Sequence, residues 1–388
     1  MERKYLETHP WITFVADLRK ANYSLWMALA EAQSKCDHIA GVPLRPREAA
    51  YLHRIYMIKG LKATTAIEGN TLTEEEISRY LDGKLELPDA QKYLVQEVEN
   101  IKIACEGIID KAVQGEPLPI NLETILYYNR LVLEGLKLDK DVVPGKIRDY
   151  SVGVFLYRGA PAEDCEYLLE QLCDWLNSEH FSEAALPPIS LGLIKAILAH
   201  LYLAWIHPFG DGNGRTARLI EYQLLIGSGV PTPAAHLLSN HYNLTREQYY
   251  RQLEYASQSG GEVLPFIEYA LKGFIDGLKE QLKIIKQQQW DVAWRNYVHE
   301  KIKGSSPAME RCRYLVLDLS FHHDNEFVAI SKLKEISSRV ARAYSNKPKA
   351  IFYDLKKLGK WDLVERKAHR VRAKKEKILA FLPDRVSS

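Results

Sequence analysis

The chain has 388 residues, of which 46% are hydrophobic and 26% are charged. This length exceeds one ordinary domain, so we expect two or three folding units with the composition of a soluble globular protein. We expect no apolar run of about 18 residues that could span a bilayer, and no signal peptide at the N-terminus. The sequence therefore predicts a cytoplasmic protein without membrane contact.

The five cysteines are scattered along the chain without a CxxC pair. This spacing predicts neither a zinc site nor a disulfide framework. We therefore expect buried free thiols.

The net charge of +2 conceals a basic C-terminal segment. Residues 331–388 contain 17 Lys and Arg against 6 Asp and Glu, a local charge of +11, which leaves −9 for residues 1–330. A basic terminal unit on an acidic body suggests a polyanionic partner, for which DNA is one candidate.

The body of the chain reads as a succession of helices, so the predicted fold class is all-α. Four segments have helical apolar spacing and Pro or Gly punctuation, and they cover residues 122–136, 163–177, 189–206 and 215–227. The third is apolar almost all round, which predicts a central helix covered on every face by other helices.

Residues 144–161 break this helical pattern. They are β-branched, aromatic and glycine-bearing, which favours an extended hairpin. A lone hairpin in a helical domain seldom contributes to stability, so we expect a functional role.

The last quarter of the chain resembles a winged helix-turn-helix domain. A helical connector over residues 278–298 precedes predicted helices over 309–319, 330–342 and 347–358. A turn at Leu358-Gly359-Lys360 then leads into a strand over residues 361–364. We predict three domains, over residues 1–115, 116–285 and 286–388.

The strongest signal is the segment 207–218, HPFGDGNGRTAR, between the third and fourth of the predicted helices. Pro208 ends one helix, and the glycines let the backbone turn with its N–H groups inward, which forms an anion-binding nest at the start of the next helix. Arg215 and Arg218 are three residues apart, so both could reach one anion. The segment therefore predicts a polyphosphate ligand.

Three other side chains of this segment suit phosphate chemistry. Asp211 is a hard oxygen ligand for Mg²⁺, and Asn213 could hold a phosphate oxygen. His207 is positioned to take a proton from an incoming hydroxyl. A histidine after an apolar helix is usually a cap, but the combination at this spacing favours a site. His200 is expected to be a hydrogen-bonded core residue.

This segment matches the Fic family motif HPFx[DE]GNGRxxR at every fixed position, and the resemblance extends over roughly residues 40–260. It implies a helical bundle with a β-hairpin flap, which transfers AMP from ATP, with Mg²⁺, to a Ser, Thr or Tyr hydroxyl of a target protein. Gly212 and Gly214 would line the phosphate nest. Related Doc-type phosphotransferases carry lysine where this chain has Gly214, so the resemblance implies nucleotidyl transfer.

The resemblance also implies ligand contacts outside the loop. The hairpin over residues 148–160 resembles the family's flap, which docks an extended target chain by strand addition. Its implied contacts with nucleotide or target are Val154, Phe155, Leu156 and Tyr157. Tyr250, in a Tyr-Tyr pair, resembles an aromatic residue beside the adenine.

Residues 64–70, TTAIEGN, resemble the Fic inhibitory motif [ST]xxxE[GN]. The resemblance implies that Glu68 reaches Arg218 and occupies the guanidinium needed for the γ-phosphate. Taken alone, the segment predicts a helix end, a Gly-Asn turn and a cap at the next helix.

Two alternatives remain open at this stage. One is a DNA-binding regulator whose Fic-like domain only senses nucleotide. The other keeps the fold but uses UTP, GTP or a phosphocholine carrier, because the loop reads phosphates and not the base. A homodimer is compatible with the sequence, which identifies neither the target nor the oligomeric state.

Overall fold

The protein is described by a computed structural model over residues 3–154, 157–181, 186–322 and 326–379. The chain divides into two compact units, Met1–Leu282 and Lys283–Ser388, and the division falls within one long helix. Both units are predominantly helical, as predicted.

The first unit is a helical bundle with one short hairpin. Its helices, including the long one that crosses into the second unit, are α1 (Tyr5–Thr8), α2 (Tyr23–Gly41), α3 (Pro46–Ala66), α4 (Glu74–Leu81), α5 (Lys92–Gln114), α6 (Leu122–Val132), α7 (Ala162–Leu176), α8 (Pro188–Ile206), α9 (Asn213–Gly227), α10 (Leu237–Leu244), α11 (Arg246–Gln258) and α12 (Leu264–Lys301). The hairpin strands are β1 (Gly153–Val154) and β2 (Tyr157–Arg158), and short 3-10 helices cover Leu18–Lys20, Asp89–Gln91 and Glu179–Phe181.

Helix α8 is the centre of this bundle. It begins with Pro188 in its first turn, where the missing proline N–H is harmless, and it is buried over nearly its whole length. Helices α2, α7 and α9 pack against it, which explains why its sequence is apolar on every side.

The prediction that the chain lacks a long apolar run was wrong. Helix α8 is apolar and long enough to cross a membrane by length and composition, but 89% of that window is buried inside the protein. Such burial is that of a core helix in a bundle.

Helix α6 ends earlier than predicted. It stops at Val132 instead of residue 136, and the buried Asn100 side chain donates to the carbonyls of Val132 and Glu134 at 3.3 and 2.8 Å. Gly135 then adopts a left-handed φ of 71°. A side chain from α5 thus satisfies the last carbonyls of α6, which the local sequence does not reveal.

Helix α3 carries the TTAIEGN segment at its C-terminal end. The helix ends at Ala66, Gly69 turns the chain with φ 104°, and Thr73 caps α4 with a reciprocal capping box to Glu76. The predicted helix end, turn and cap are confirmed.

The second unit has its own hydrophobic core. Its further elements are α13 (Pro307–His322), β3 (Val328–Ala329), α14 (Ser338–Tyr344), α15 (Ala350–Lys360), β4 (Val364–Lys367) and β5 (Arg370–Ala373), with 3-10 helices over Ile330–Glu335 and Lys375–Leu379. The antiparallel sheet has the order β3-β5-β4, with Val328 opposite Val371 and Val364 opposite Ala373. Residues such as Trp294, Leu315, Tyr344 and Leu355 fill the core.

Two predicted elements of this unit were wrong in detail. The helix predicted over residues 330–342 is two elements, because Ser337 is extended and its hydroxyl accepts from the Val340 N–H at the start of α14. The turn predicted at residues 358–360 lies further on, at Trp361 and Asp362, and the strand begins at Val364. All five cysteines are buried and free, as predicted.

Candidate active site

The loop between α8 and α9 forms the floor of the site. His207 ends α8 in a left-handed conformation, and its N–H donates to the Leu203 carbonyl at 3.0 Å. Gly212 precedes α9 with φ 77°, and no side chain caps that helix. The first-turn N–H groups of α9 therefore have no side-chain cap, as an anion-binding helix N-terminus requires.

Two asparagines hold this loop in shape. The Asn213 side chain accepts from the Phe209 N–H at 2.9 Å and donates to the Phe209 carbonyl at 2.8 Å. Asn129, fully buried on α6, donates to the Asp211 carbonyl and accepts from the Gly145 N–H, both at 2.9 Å. Sequence reasoning missed Asn129, because one buried asparagine in a helix has no local signature. The phosphate contact of Asn213 stays a prediction. In this structure its side-chain amide bonds the Phe209 backbone of the loop.

Arg148 joins the loop to the base of the hairpin. Its buried guanidinium donates to the carbonyls of His207 at 2.8 Å, Tyr150 at 2.6 Å and Ala160 at 2.6 Å. Its own N–H donates to the Pro208 carbonyl at 3.0 Å. One buried cation thus fixes the backbone of the histidine against both ends of the hairpin segment, a role the sequence did not reveal.

The environment of His207 favours the neutral imidazole. Burial lowers the pKa of His207 to about 4, and the charge of Arg148 acts in the same direction. The Ala204 carbonyl and the carboxylates of Glu68 and Asp211 oppose this shift but do not cancel it. The ring is therefore unprotonated at neutral pH and able to accept a proton.

Glu68 and Arg218 form the closest ion pair of the site. Glu68 Oε1 lies 2.6 Å from Arg218 Nη2, which also donates to the Thr64 carbonyl at 2.9 Å. The Arg218 side chain is 1% exposed, whereas that of Glu68 is 35% exposed. Within the described part of the chain, Arg218 Nε and Nη1 are buried without a hydrogen-bond partner. Two donors of the buried guanidinium are therefore unsatisfied, which is unusual for a buried polar group.

The carboxyl of Glu68 stays ionised. Partial burial raises its pKa, but the charge and hydrogen bond of Arg218, together with the charge of Arg215, outweigh that effect and lower the pKa below its ordinary value. The ion pair is therefore complete at neutral pH and is lost only as the pH falls through the lowered pKa.

Gly214 is the reason that Glu68 can approach so closely. A Cβ at position 214 would lie 2.1 Å from Glu68 Oε1 and 3.0 Å from Arg218 Nη1. Any side chain there would force the carboxylate away. The glycine of the loop motif and Glu68, two residues after the end of α3, are thus sterically matched.

Arg215 has different partners from Arg218. Its guanidinium lies 3.1 Å from Glu97 on α5 and 3.0 Å from Asp211. Asn70, two residues after Glu68, donates to the other Glu97 oxygen at 2.8 Å. The expectation that both arginines reach one anion stays a prediction, since in this structure each arginine binds its own carboxylates.

Arg246 binds the C-terminal end of α3, next to Glu68. From the first turn of α11, it donates to the Ile67 carbonyl at 2.6 Å, and its guanidinium lies 5.9 Å from the centre of the Tyr250 ring. Tyr250 is half-buried beside Tyr249, whose hydroxyl bonds His200 at 2.8 Å in the core. The core role predicted for His200 is confirmed, and the adenine contact of Tyr250 stays a prediction.

The hairpin is shorter than the predicted segment. Val154 pairs with Tyr157 and Gly153 with Arg158, while Phe155 and Leu156 lie outside the described residues. The Tyr157 hydroxyl donates to the Trp205 carbonyl at 2.8 Å, and its ring packs near His9 and Trp11. This bond anchors the hairpin to α8, and the predicted contact of Tyr157 with nucleotide or target stays a prediction.

Asp211 is the carboxylate of the loop itself. Its side chain is 48% exposed and contacts Arg215. Among the described residues there is no cluster of three or more His, Cys, Asp or Glu side chains that could hold a metal ion. The Mg²⁺ contact of Asp211 stays a prediction.

Residues 119–225 match the family model described as "Fic/DOC family". This part of the chain is therefore similar to a Fic domain. The "Protein adenylyltransferase fic-1" of Caenorhabditis briggsae is 31% identical over 256 residues, 64% of this chain and 46% of that protein. The "Protein adenylyltransferase Fic" of Drosophila virilis is 31% identical over 225 residues, 58% of this chain and 41% of that protein. The chain spans less than half the length of these curated relatives.

Solved structures share the fold of the Fic domain and its surroundings. A Fic family protein from Desulfovibrio desulfuricans G20 has a TM-score of 0.57 at 22% identity and covers 93% of this chain and 98% of its own. Residues 134–508 of Fic-1 from C. elegans have a TM-score of 0.53 at 25% identity and cover 68% of this chain and 74% of their own.

Replacement of Arg148 by alanine should destabilise the Fic domain by about 3 kcal/mol, because three buried carbonyls lose a charged donor. Urea unfolding followed by circular dichroism measures this loss. Arg158→Ala, which removes an exposed arginine from the same hairpin, should change stability by less than about 0.5 kcal/mol. Equal losses of stability in the two variants would contradict the role of Arg148 in fixing the loop against the hairpin.

Gly214→Ala should uncouple Glu68 from Arg218. The added methyl group displaces the carboxylate, so Glu68→Ala should cost less stability in the Gly214→Ala background than in the parent, by about 1 kcal/mol or more. Urea unfolding of the four proteins gives this coupling energy.

The matched control is Gly227→Ala on the same helix, where a Cβ would meet only Leu118 at 3.7 Å. Its effect should add to that of Glu68→Ala within about 0.5 kcal/mol. Additivity for Gly214→Ala as well would show that Gly214 does not set the approach of Glu68.

Proposed function

We propose that this protein transfers AMP from ATP to a Ser, Thr or Tyr hydroxyl of a target protein, and that Glu68 restrains the transfer. The observation that carries the proposal is the Arg218 guanidinium, which is buried at the uncapped start of α9 with two N–H donors lacking a partner in the described structure. A polyphosphate beside a neutral histidine fits this arrangement.

The triphosphate would bind along the start of α9. Backbone N–H groups of Gly212, Asn213 and Gly214 and the guanidinium groups of Arg215 and Arg218 would hold the β and γ phosphates. Asp211 would contribute a carboxylate to the Mg²⁺ that enters with ATP. Bound there, Mg²⁺ would neutralise phosphate charge.

His207 would act as the general base. The neutral imidazole takes the proton of the target hydroxyl, whose oxygen attacks the α-phosphorus. The bond from that phosphorus to the β-phosphate bridging oxygen breaks, and pyrophosphate leaves. Because Arg148 fixes the backbone of His207, the base is held in place before the substrates arrive.

The hairpin would align the target chain. Backbone groups at the edge of β1 and β2 would pair with an extended target segment, so the register comes from the main chain and not from side chains. Val154, Phe155 and Leu156 remain the residues proposed to contact nucleotide or target, and Tyr250 the residue proposed beside the adenine.

The restraint would be competitive. Glu68 occupies one edge of the guanidinium that the γ-phosphate needs, so ATP binds poorly or in an unproductive pose while the ion pair persists. ATP is the favoured donor because the curated relatives are named adenylyltransferases. UTP, GTP and a phosphocholine carrier remain alternatives for the experiment below.

The second unit would be a winged helix-turn-helix domain. The element order α13, β3, α14, α15, β4, β5 and the sheet order β3-β5-β4 support this assignment. The division into residues 1–115, 116–285 and 286–388, a cytoplasmic location and a homodimer remain proposals from the sequence.

Glu68→Gly should raise transfer of label from α-labelled ATP to the protein itself or to lysate proteins by at least about tenfold, since Arg218 becomes free for phosphate. His207→Ala in that background should abolish transfer but retain ATP binding.

The comparison uses each labelled nucleotide in turn. Its control is Glu75→Gly, which replaces an exposed glutamate of α4. Transfer no faster than in the parent would contradict the restraint.

The transfer rate of the Glu68→Gly protein should be nearly constant from pH 6 to pH 8. The pKa of His207 is lowered to about 4 by burial, so the base is neutral throughout this range and becomes protonated only as the pH falls through that value. Removing Glu68 takes away a carboxylate that raises this pKa, which strengthens the expectation. Single-turnover rates at saturating ATP measure it. A pH–rate inflection near the ordinary histidine value of about 6.5 would contradict it.

A further inference from the structure

Residues 3–16, which we call the N-terminal segment, are fixed against the helices that flank the hairpin. The Tyr5 N–H donates at 2.9 Å to the carboxylate of Asp164, which is buried on α7. The Phe14 ring stacks on Tyr202 of α8, with the ring centres 5.1 Å apart. The segment is therefore held in one place, although its only regular element is the short helix α1.

His9 of the N-terminal segment binds the main chain of β2. Its Nε2 atom lies 2.8 Å from the Arg158 carbonyl oxygen, and the residue is only 5% exposed. Burial lowers the pKa of His9, and the bond to the Arg158 carbonyl opposes this shift without cancelling it, so the ring is neutral at neutral pH. Because a carbonyl can only accept, the one ring proton lies on Nε2 and is donated to Arg158.

The register of the hairpin shows which edge His9 occupies. In an antiparallel pair, hydrogen-bonded residue pairs alternate with pairs whose N–H and carbonyl groups face outward. The Gly159 N–H donates to the Val152 carbonyl at 3.1 Å, so the next pair, Gly153 with Arg158, faces outward. His9 therefore occupies the outer edge of β2. On the outer edge of β1, Gly153 is exposed, and no other part of the described chain bonds its N–H or carbonyl.

The outer edge of β2 continues onto the loop that carries His207. The Ala160 N–H donates to the Ile206 carbonyl at 3.2 Å. A Cβ at Gly159 would lie 2.8 Å from His207 Cβ, so β2 runs directly against the histidine. The protein itself thus uses this edge at both Arg158 and Ala160, and a shift of β2 would move the backbone beside His207.

We propose that the N-terminal segment, through His9, closes the outer edge of β2 and so directs an extended target chain to the outer edge of β1. This inference rests on the AMP transfer proposed above and assigns the edge at which the acceptor adds. The partner that fits an exposed strand edge is another extended main chain, whose N–H and carbonyl groups pair with those of Gly153. His9 is a positioning residue, since it acts through the Arg158 carbonyl.

The first test compares transfer to protein with transfer to water in the Glu68→Gly background, with α-labelled ATP and a fixed cell lysate. Water attacks the α-phosphorus and loses a proton, the bond to the β-phosphate bridging oxygen breaks, and AMP and pyrophosphate leave. Water needs no strand docking. His9→Leu removes the donor and should lower the ratio of labelled protein to free AMP by about tenfold. His9→Gln retains an N–H donor and should restore most of that ratio. An unchanged ratio in His9→Leu, or no rescue by glutamine, would overturn the proposal.

A second pair of variants tests the edge of β1 directly. Gly153→Pro removes the outward N–H and spares the ladder to β2, because proline is tolerated where its nitrogen faces away from the neighbouring strand. Gly153→Ala is the matched control: it adds the same Cβ, 3.2 Å from the Tyr157 carbonyl oxygen, and keeps the N–H. The ratio of labelled protein to free AMP should be about tenfold lower in the proline variant than in the alanine variant. Equal ratios would overturn the assignment of the docking edge.

Hydrogen exchange without nucleotide separates a failure of this inference from a failure of the proposed function. If the Glu68→Gly protein yields neither labelled protein nor AMP, the proposed function has failed. The amides of residues 157–160 should still exchange at least about fivefold faster in His9→Leu than in the parent or in His9→Gln, because β2 has lost its anchor. Equal exchange in the three proteins would overturn the closure of β2 by His9.

Discussion

The Arg218 guanidinium is the constraint on which the rest of the site depends. A cation that is almost fully buried must be paired, and here Glu68 and the Thr64 carbonyl supply only part of what it can bind. Its remaining donors are the groups that we propose bind phosphate. In the proposed function, one buried charge thus links the stability of the resting structure to the binding of substrate, and the two uses compete for it.

The surrounding structure keeps both uses available. Gly214 leaves room for the carboxylate, and Arg246 holds the Ile67 carbonyl beside it. A second connection runs from Asn70 through Glu97 to Arg215, so residues 68–70 are linked to both arginines of the loop. A movement of the end of α3 would therefore change the partners of both arginines. The proposed restraint then depends on packing as well as on one ion pair.

The sequence predicted the local features and, through the motif of residues 64–70, the contact of Glu68 with Arg218, but it missed other long-range contacts. Helices α8 and α9 and the loop between them follow from apolar spacing, Pro and Gly, and Glu68 lies where its motif predicts. The contributions of Arg148 and Asn129 could not be predicted, because their partners are backbone groups distant along the chain. The same holds for the early end of α6, which a side chain from α5 determines. The bond of the Tyr157 hydroxyl to the Trp205 carbonyl is a further contact that the local sequence does not reveal.

Calorimetric titration with ATP and AMP in the presence of Mg²⁺ tests the central claim most directly. Both ligands would be titrated into His207→Ala protein, with and without Glu68→Gly, so that no turnover occurs. If Glu68 competes with the terminal phosphates for Arg218, its removal strengthens ATP binding by at least about tenfold and leaves AMP binding unchanged, because AMP lacks those phosphates. An equal change for both nucleotides, or no change for either, would contradict the account.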